Sequence, residues 1–252
     1  MKPNEVTQDL VKRFGLIVAQ PLNGYRSSLD ALLLAEFAAP TDTARVADLG
    51  TGCGIIPLIL CRRFPNSTAV GIESNIKMAS LAESNTNQND LAQRLTIVSG
   101  DITDSKSHFT VSSFDGVTCN PPFRTYKSGR VSPKAGRDTA RHESTADITD
   151  FLAAAKFLVK PTGRIWFVYL ADRLGEFTHR AVELKLALLR LRMVHDSITA
   201  PAKIFLAELA KSSKGSTSVL PPLIVRGEDG AYTPETRQIL GEDIEPIENT
   251  ST

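Results

Sequence analysis

The chain has 252 residues, enough for one large domain or one domain with appendages, and its 42% hydrophobic and 23% charged residues are those of an ordinary soluble globular protein. The polar start Met1-Lys2-Pro3-Asn4-Glu5 lacks the apolar core of a signal peptide and no apolar run reaches membrane-spanning length, so the expectation is a cytoplasmic protein with no membrane partner. The net charge of +1 conceals an acidic end: Glu242, Asp243, Glu245 and Glu248 stand in residues 242–252 without a base, and the remaining 29 basic and 24 acidic residues leave +5, a balance that permits a nucleic-acid partner without demanding one.

In chain order, Phe14 to Ala19 reads as a short strand, followed by a stretch dense in turn-formers, Gln20-Pro21-Leu22-Asn23-Gly24-Tyr25-Arg26. From Ser28, a candidate N-cap, Leu29, Leu32, Leu33 and Phe37 recur at helical spacing. Val46-Ala47-Asp48-Leu49 then runs into Gly50-Thr51-Gly52-Cys53-Gly54 and re-emerges as Ile55-Ile56-Pro57-Leu58, which predicts strand, tight loop and helix. Dinucleotide sites space their glycines G-x-G-x-x-G, and here Ile55 occupies the position of the third. Asp48 would also repel a pyrophosphate, whereas the hydroxyls, ammonium and sulfonium of S-adenosylmethionine (SAM) can sit beside a carboxylate. The stretch resembles motif I of the SAM-dependent methyltransferases, with Asp48, Gly50, Gly52 and Gly54 as cofactor-binding candidates. The helix before it would cover the cofactor. Tyr25 and Asp30 lie in that segment, although a Tyr in a turn and an Asp in a first helical turn need no ligand to explain them.

The helix ends at Pro65-Asn66, and Ala69-Val70-Gly71-Ile72-Glu73 reads as a buried second strand. Glu73 at its carboxyl end is placed to accept two ribose hydroxyls. A helix over Ile76–Gln88 and a strand over Leu95–Val98 follow, then Asp101, which the methyltransferase resemblance puts against the adenine amino group. Residues 104–113 read as loop or short helix. Cys53, Cys61 and Cys119 show no C-x-x-C spacing and the four histidines are scattered, so no disulfide framework, metal site or nucleophilic triad is expected.

The strand Phe114–Cys119 runs into Asn120-Pro121-Pro122-Phe123. Two prolines make this loop rigid and leave two acceptors, the Asn120 side-chain oxygen and the Pro121 carbonyl. An amino group conjugated to a purine is a poor nucleophile because its lone pair is delocalised into the ring. Two acceptors aimed at its hydrogens favour a pyramidal nitrogen and stabilise the positive charge that grows as it attacks a methyl. Phe123 would stack on the ring. The next residues hold Arg124, Lys127, Arg130, Lys134, Arg137 and Arg141 against one acid, Asp138, and read as a basic loop beside the target pocket. Arg130, Lys134, Arg137 and Arg141 are its candidates for contact with phosphate, although a solvated loop has the same composition. Asp147 or Thr149 opens a helix over Phe151–Val159, Lys160–Gly163 a turn, and Arg164–Leu170 a strand. A helix over Phe177–Leu189 and two strands, Leu191–His195 and Ile204–Ala210, close the chain as an antiparallel hairpin at the sheet edge.

Gly24-Tyr25-Arg26-Ser27-Ser28-Leu29-Asp30, Asp48–Gly54, Asn120–Phe123, Ala140-Arg141-His142-Glu143 and Pro222-Leu223-Ile224-Val225-Arg226-Gly227 together resemble the bacterial tRNA adenine-N6 methyltransferases that modify the adenosine beside the anticodon of valine tRNA. The resemblance implies a class I, Rossmann-like α/β fold with a doubly wound, mostly parallel sheet and an antiparallel C-terminal hairpin. It implies SAM as cofactor, tRNA as partner, and a catalytic role for Asn120, Pro121 and Phe123, with Asn120 also at the cofactor. Phe123 departs from the Tyr usual in that family, so stacking is kept and the phenol hydroxyl is lost. Residues 1–241 read as one methyltransferase domain, residues 1–45 being its cofactor-covering segment, and 242–252 as a disordered acidic tail. Two alternatives stay open: a protein glutamine N5-methyltransferase, which uses the same tetrapeptide on an amide nitrogen, and a non-catalytic RNA-binding protein of the same fold.

Overall fold

A computed structural model of the chain describes residues 5–22, 29–122, 146–211 and 216–242. Strand β1 (Val6–Val11) and strand β2 (Leu16–Pro21) form an antiparallel hairpin, turned at Gly15, which takes the left-handed φ of 58°. Then come α1 (Leu29–Phe37), β3 (Arg45–Leu49), α2 (Ile55–Arg63), β4 (Thr68–Glu73), α3 (Ile76–Gln88), β5 (Leu95–Ser99), the short α4 (Ser105–His108) and β6 (Phe114–Cys119). Beyond residue 145 lie α5 (Ile148–Leu158), β7 (Val159–Leu170), α6 (Leu174–Glu183), β8 (Leu186–His195), β9 (Ala202–Lys211), the two-residue strands β10 (Ser218–Val219) and β11 (Leu223–Ile224), and α7 (Pro234–Leu240).

The main sheet runs β10-β8-β9-β7-β6-β3-β4-β5, with β11 also on β8. Strands β3 to β7 pair in parallel, and β9 runs antiparallel between β7 and β8. The doubly wound sheet and its antiparallel C-terminal hairpin are therefore those expected. Alternation along β7 explains the two cores. Trp166 and Val168 face α1 and α2 with Val46, Leu33, Leu34 and Leu58. Ile165, Phe167 and Tyr169 face α5 and α6 with Leu49, Phe151, Leu152 and Phe177.

Differences from the expected elements have local causes. Gln20 and Pro21 belong to β2 rather than to a turn, and β1, α7 and the two-residue strands carry too few periodic residues to stand out. The run around Leu184–Leu189 satisfies helix and strand patterns alike. Lys185 at φ 55° ends the helix there, so that β8 begins at Leu186. Lys160–Gly163 do loop outward as expected, yet inside one strand, because Val159 pairs with Phe114 and Arg164 with Gly116. Asp147 proves to be the cap of α5: its side chain accepts from the Thr149 and Asp150 N–H groups at 2.8 and 3.1 Å.

Glu208 lies buried in the apolar run of β9 and is satisfied across the sheet. Trp166 Nε1 donates to it at 3.1 Å and Arg190 Nε at 2.7 Å, in the row Trp166–Glu208–Arg190 of β7, β9 and β8. The Trp166 ring in turn fills the space beside Gly116, where a Cβ would stand 2.6 Å from it. Gly116→Ala should therefore destabilise the fold by about 1–3 kcal/mol. Thermal denaturation checks this, and a midpoint equal to wild type would show that the ring has room to move.

Candidate active site

Because β3 to β6 run parallel, their carboxyl ends meet at one edge, and this edge gathers Asp48, Glu73, Asp101 and Asn120. The loop after β3 is built on its backbone. The Gly50 and Thr51 N–H groups both donate to the Ile72 carbonyl, at 2.9 and 3.0 Å, and the Gly54 N–H donates to the Thr51 carbonyl at 2.9 Å. Gly50, Gly52 and Gly54 take left-handed φ values of 69°, 58° and 86°, which side-chain-bearing residues rarely adopt. A Cβ on Gly54 would also press Ala82 of α3 at 3.3 Å.

Asp48 is 1% exposed. The Thr51 hydroxyl donates to one of its oxygens at 2.6 Å and the Thr118 hydroxyl to the other at 2.7 Å. Thr118 is its cross-strand neighbour on β6, and Gly71 is its neighbour on β4. A Cβ on Gly71 would stand 2.8 Å from the Thr51 side chain, so this glycine makes the room in which Thr51 reaches Asp48. Burial raises the Asp48 carboxyl to about 7 against the pull of the two hydroxyls, and the nearby Glu73 carboxylate adds to the rise.

Glu73 is 9% exposed, and both of its oxygens accept from backbone. The Gly52 N–H donates to one at 2.9 Å and the Asn75 N–H to the other at 2.8 Å. Each oxygen keeps a lone pair for a hydroxyl donor. The Asp101 carboxylate accepts from the Thr103 N–H and hydroxyl at 2.9 and 2.8 Å, which fixes it at the end of β5. Cys119 pairs with Leu49, so Asn120 stands beside Gly50, half-buried, with Pro121 buried and Pro122 exposed. Burial pushes the Cys119 thiol well above its ordinary range, which removes it as a nucleophile beside Asn120. Phe123, Arg130, Lys134, Arg137 and Arg141, with Tyr25, lie outside the described residues. The acidic residues 243–252 do too.

Sequence reasoning missed a further element. Asn85 on α3 and Asn89, the residue that caps its carboxyl end, are buried, and their side-chain amides act as a strand edge for β2. Asn89 accepts from the Ile17 N–H at 2.9 Å and donates to the Ile17 carbonyl at 2.8 Å. Asn85 accepts from the Ala19 N–H at 2.8 Å and donates to the Ala19 carbonyl at 3.0 Å and to the Cys53 carbonyl at 2.9 Å. The signal available was a pair of asparagines four residues apart at the end of a helix whose inward face is otherwise mostly apolar.

This donor set fits SAM. A buried carboxylate partnered by hydroxyls alone invites a cationic group, a strand-end carboxylate with spare lone pairs invites ribose hydroxyls, and glycines at positive φ let a ligand approach the backbone.

Residues 28–178 match the family model described as the methyltransferase small domain. A Porphyromonas gingivalis protein named tRNA1(Val) (adenine(37)-N6)-methyltransferase is 32% identical over 234 residues, covering 90% of this chain and 89% of its own. A protein of the same name from Shigella dysenteriae is 30% identical, covering 81% of this chain and 82% of its own. Among solved structures, a predicted O-methyltransferase from Agrobacterium tumefaciens superposes with a TM-score of 0.69 at 20% identity, covering 84% of this chain and 95% of its own. The TYW2 protein of Pyrococcus horikoshii, in complex with MeSAdo, does so with a TM-score of 0.58 at 12% identity, covering 84% and 74%. These two structures establish the fold.

Two outcomes follow from this geometry. An unfolded aspartate titrates near 3.8 and folded Asp48 near 7, so between those values the folded state holds the extra proton and stability falls as the pH rises. Asp48→Asn is neutral throughout: one hydroxyl still donates to its amide oxygen, and the other turns to accept from its amide nitrogen. It should raise the thermal midpoint of the ligand-free protein at about pH 8, by on the order of 1–4 kcal/mol of stability, and leave it nearly unchanged at about pH 4. Equal shifts at both pH values would refute the buried-charge reading. Asn85→Ala should strand the polar backbone groups of Ala19 and Cys53, lowering stability by about 1–3 kcal/mol and weakening SAM binding together. Calorimetry that finds wild-type SAM affinity would uncouple α3 from the glycine loop.

Proposed function

The chain belongs to the methyltransferase small domain family, and from that premise we propose that it is a SAM-dependent enzyme that methylates the exocyclic N6 amino group of an adenosine in tRNA. The Porphyromonas gingivalis and Shigella dysenteriae relatives named for that reaction align over four-fifths of the chain or more, which supports the substrate. The observation that carries the chemistry is the register of β3 against β6, which sets Asn120 beside the glycine loop and Asp48.

SAM supplies an electrophilic methyl group on a sulfonium. Asp48 answers its positive charge through the loop, Glu73 accepts from the ribose hydroxyls, Asp101 faces the adenine amino group, and Gly50, Gly52 and Gly54 admit the ligand to the backbone. The Asn120 side-chain oxygen and the Pro121 carbonyl accept from the two amino hydrogens of the target adenine, and Phe123 stacks on its ring. These acceptors strengthen as the amino nitrogen gains positive charge, so they act in the transition state more than in the bound substrate. The methylated nitrogen is strongly acidic and passes its proton to water without a dedicated base. Arg130, Lys134, Arg137 and Arg141 meet phosphates flanking the entering nucleotide. The cytoplasm is the compartment in which such a substrate is met.

Asn120→Ala should lower turnover by roughly a hundredfold or more with SAM affinity nearly unchanged. Methyl transfer to tRNA, read as N6-methyladenosine by nucleoside mass spectrometry, checks this against a glutamine-containing peptide offered in competition. Near-normal turnover of the variant would remove Asn120 from the chemistry. Transfer to the peptide alone would overturn the RNA substrate.

A further inference from the structure

The same carboxyl edge continues past the residues described so far. Next to β6 comes β7, then β9 and β8, and the ends of these three strands, with the first turns of α1, line an open cavity of about 550 Å³. This size falls among small-molecule sites, which run from about 300 to 1,000 Å³. None of Asp48, Glu73, Asp101 or Asn120 lines it.

The cavity has an apolar floor and a polar rim. Leu33, Leu170, Val194 and Ile204 make the floor, while Asp30, Asp172, Asp196 and Lys203 are its charged lining, with Asp172, Asp196 and Lys203 on the exposed rim. Asp172 follows the end of β7, toward the Asn120 loop, and its exposed carboxylate makes no hydrogen bond or ion pair with another described residue. Lys203 at the start of β9 is 72% exposed, 4.0 Å from Asp196. One wall is braced. Arg226 packs over the Tyr232 ring at 4.5 Å, donates to the Gly230 carbonyl at 2.9 Å, and lies 3.8 Å from Asp196. This brace gives the Leu223–Gly227 stretch, which the methyl-transfer site leaves unused, a task.

We propose that this cavity receives a nucleotide adjacent to the methylated adenosine in the same tRNA, an inference that rests on the RNA substrate proposed above. Strands lie about 4.8 Å apart, so the cavity centred on β9 stands about 10 Å along the edge from β6, a separation that neighbouring nucleotides span once the target base is unstacked. An apolar floor takes a base face, and Asp172, an acceptor without a donor, takes the amino hydrogens on that base's edge. Lys203, at the open side, meets the connecting phosphate. A free phosphate compound fits less well, since the rim groups carboxylates around the opening. The cavity is thus a specificity site: it reads whether the neighbouring base carries an amino group.

The test uses the full-length protein, calorimetry with SAM, and tRNA transcripts carrying each of the four bases in turn on either side of the target adenosine. Wild type should favour amino-bearing bases over uracil at one flank by about tenfold in kcat/KM. Asp172→Asn, at an exposed position, should reduce that preference to within about threefold. Ala202→Trp, which places a ring in the cavity, should raise KM for tRNA about tenfold or more. SAM affinity should stay at wild type in both variants. If wild type methylates tRNA adenosine and both variants keep its KM and base preference, the cavity has no part in recognition while the proposed reaction stands. If wild type methylates no tRNA at all, the reaction and this inference fall together.

Discussion

Asp48 is the group on which the carboxyl edge of this sheet depends. A carboxylate at 1% exposure must be held by donors, and the donors here are two hydroxyls from different elements, Thr51 in the glycine loop and Thr118 on β6. Each requirement propagates. For Thr51 to reach it, Gly71 on β4 must lack a Cβ; for Thr118 to reach it, β6 must pair with β3 in the register observed. That register then sets Asn120 beside Gly50. One hydrogen-bonded acid thereby fixes the relative position of three strands and of the loops that follow two of them.

Hydroxyls suit this position because they donate or accept according to the charge of their partner. A lysine or arginine at either place would hold Asp48 ionised and satisfied, and the carboxylate would have little left to offer a cationic ligand. With hydroxyls alone, Asp48 keeps a carboxyl raised to about 7 in the ligand-free chain, and a positive charge brought near it gains the interaction that the protein withholds. Burying this acid costs the ligand-free chain stability, which is how functional positions commonly depart from the most stable sequence.

Much of this was legible in the sequence because the relevant signals are local. Glycines at every second position after an apolar run state a turn with positive φ, Glu73 ends a strand one βαβ unit later, and two prolines fix the backbone after Asn120. What was not legible is what the strands bring together across the chain. Thr118 reads as an ordinary strand residue until its register against Asp48 is known. Asn85 reads as a polar residue of a helix and Asn89 as the residue after it, yet their amides hold β2 from 66 to 72 positions away. The start of β8 was obscured for a different reason, since its leucines fit both periods and only the left-handed Lys185 decides between them. The strand β1, whose burial alternates weakly, carries no pattern strong enough to be seen.

The two halves of the sheet differ in what they can present at the shared edge, and the difference follows from their connections. Strands β3, β4 and β5 are joined through helices, so their ends open into loops that expose backbone N–H groups and strand-end acids, suited to a small polar ligand. Strands β8 and β9 are joined by a hairpin and offer instead apolar side chains such as Val194 and Ile204 with charged groups at the rim, suited to a flat base more than to a phosphate. Strand β7 lies at the boundary, parallel to β6 and antiparallel to β9, and Asn120 ends the strand next to it. The two kinds of strand end therefore adjoin across β7, one strand away from Asn120.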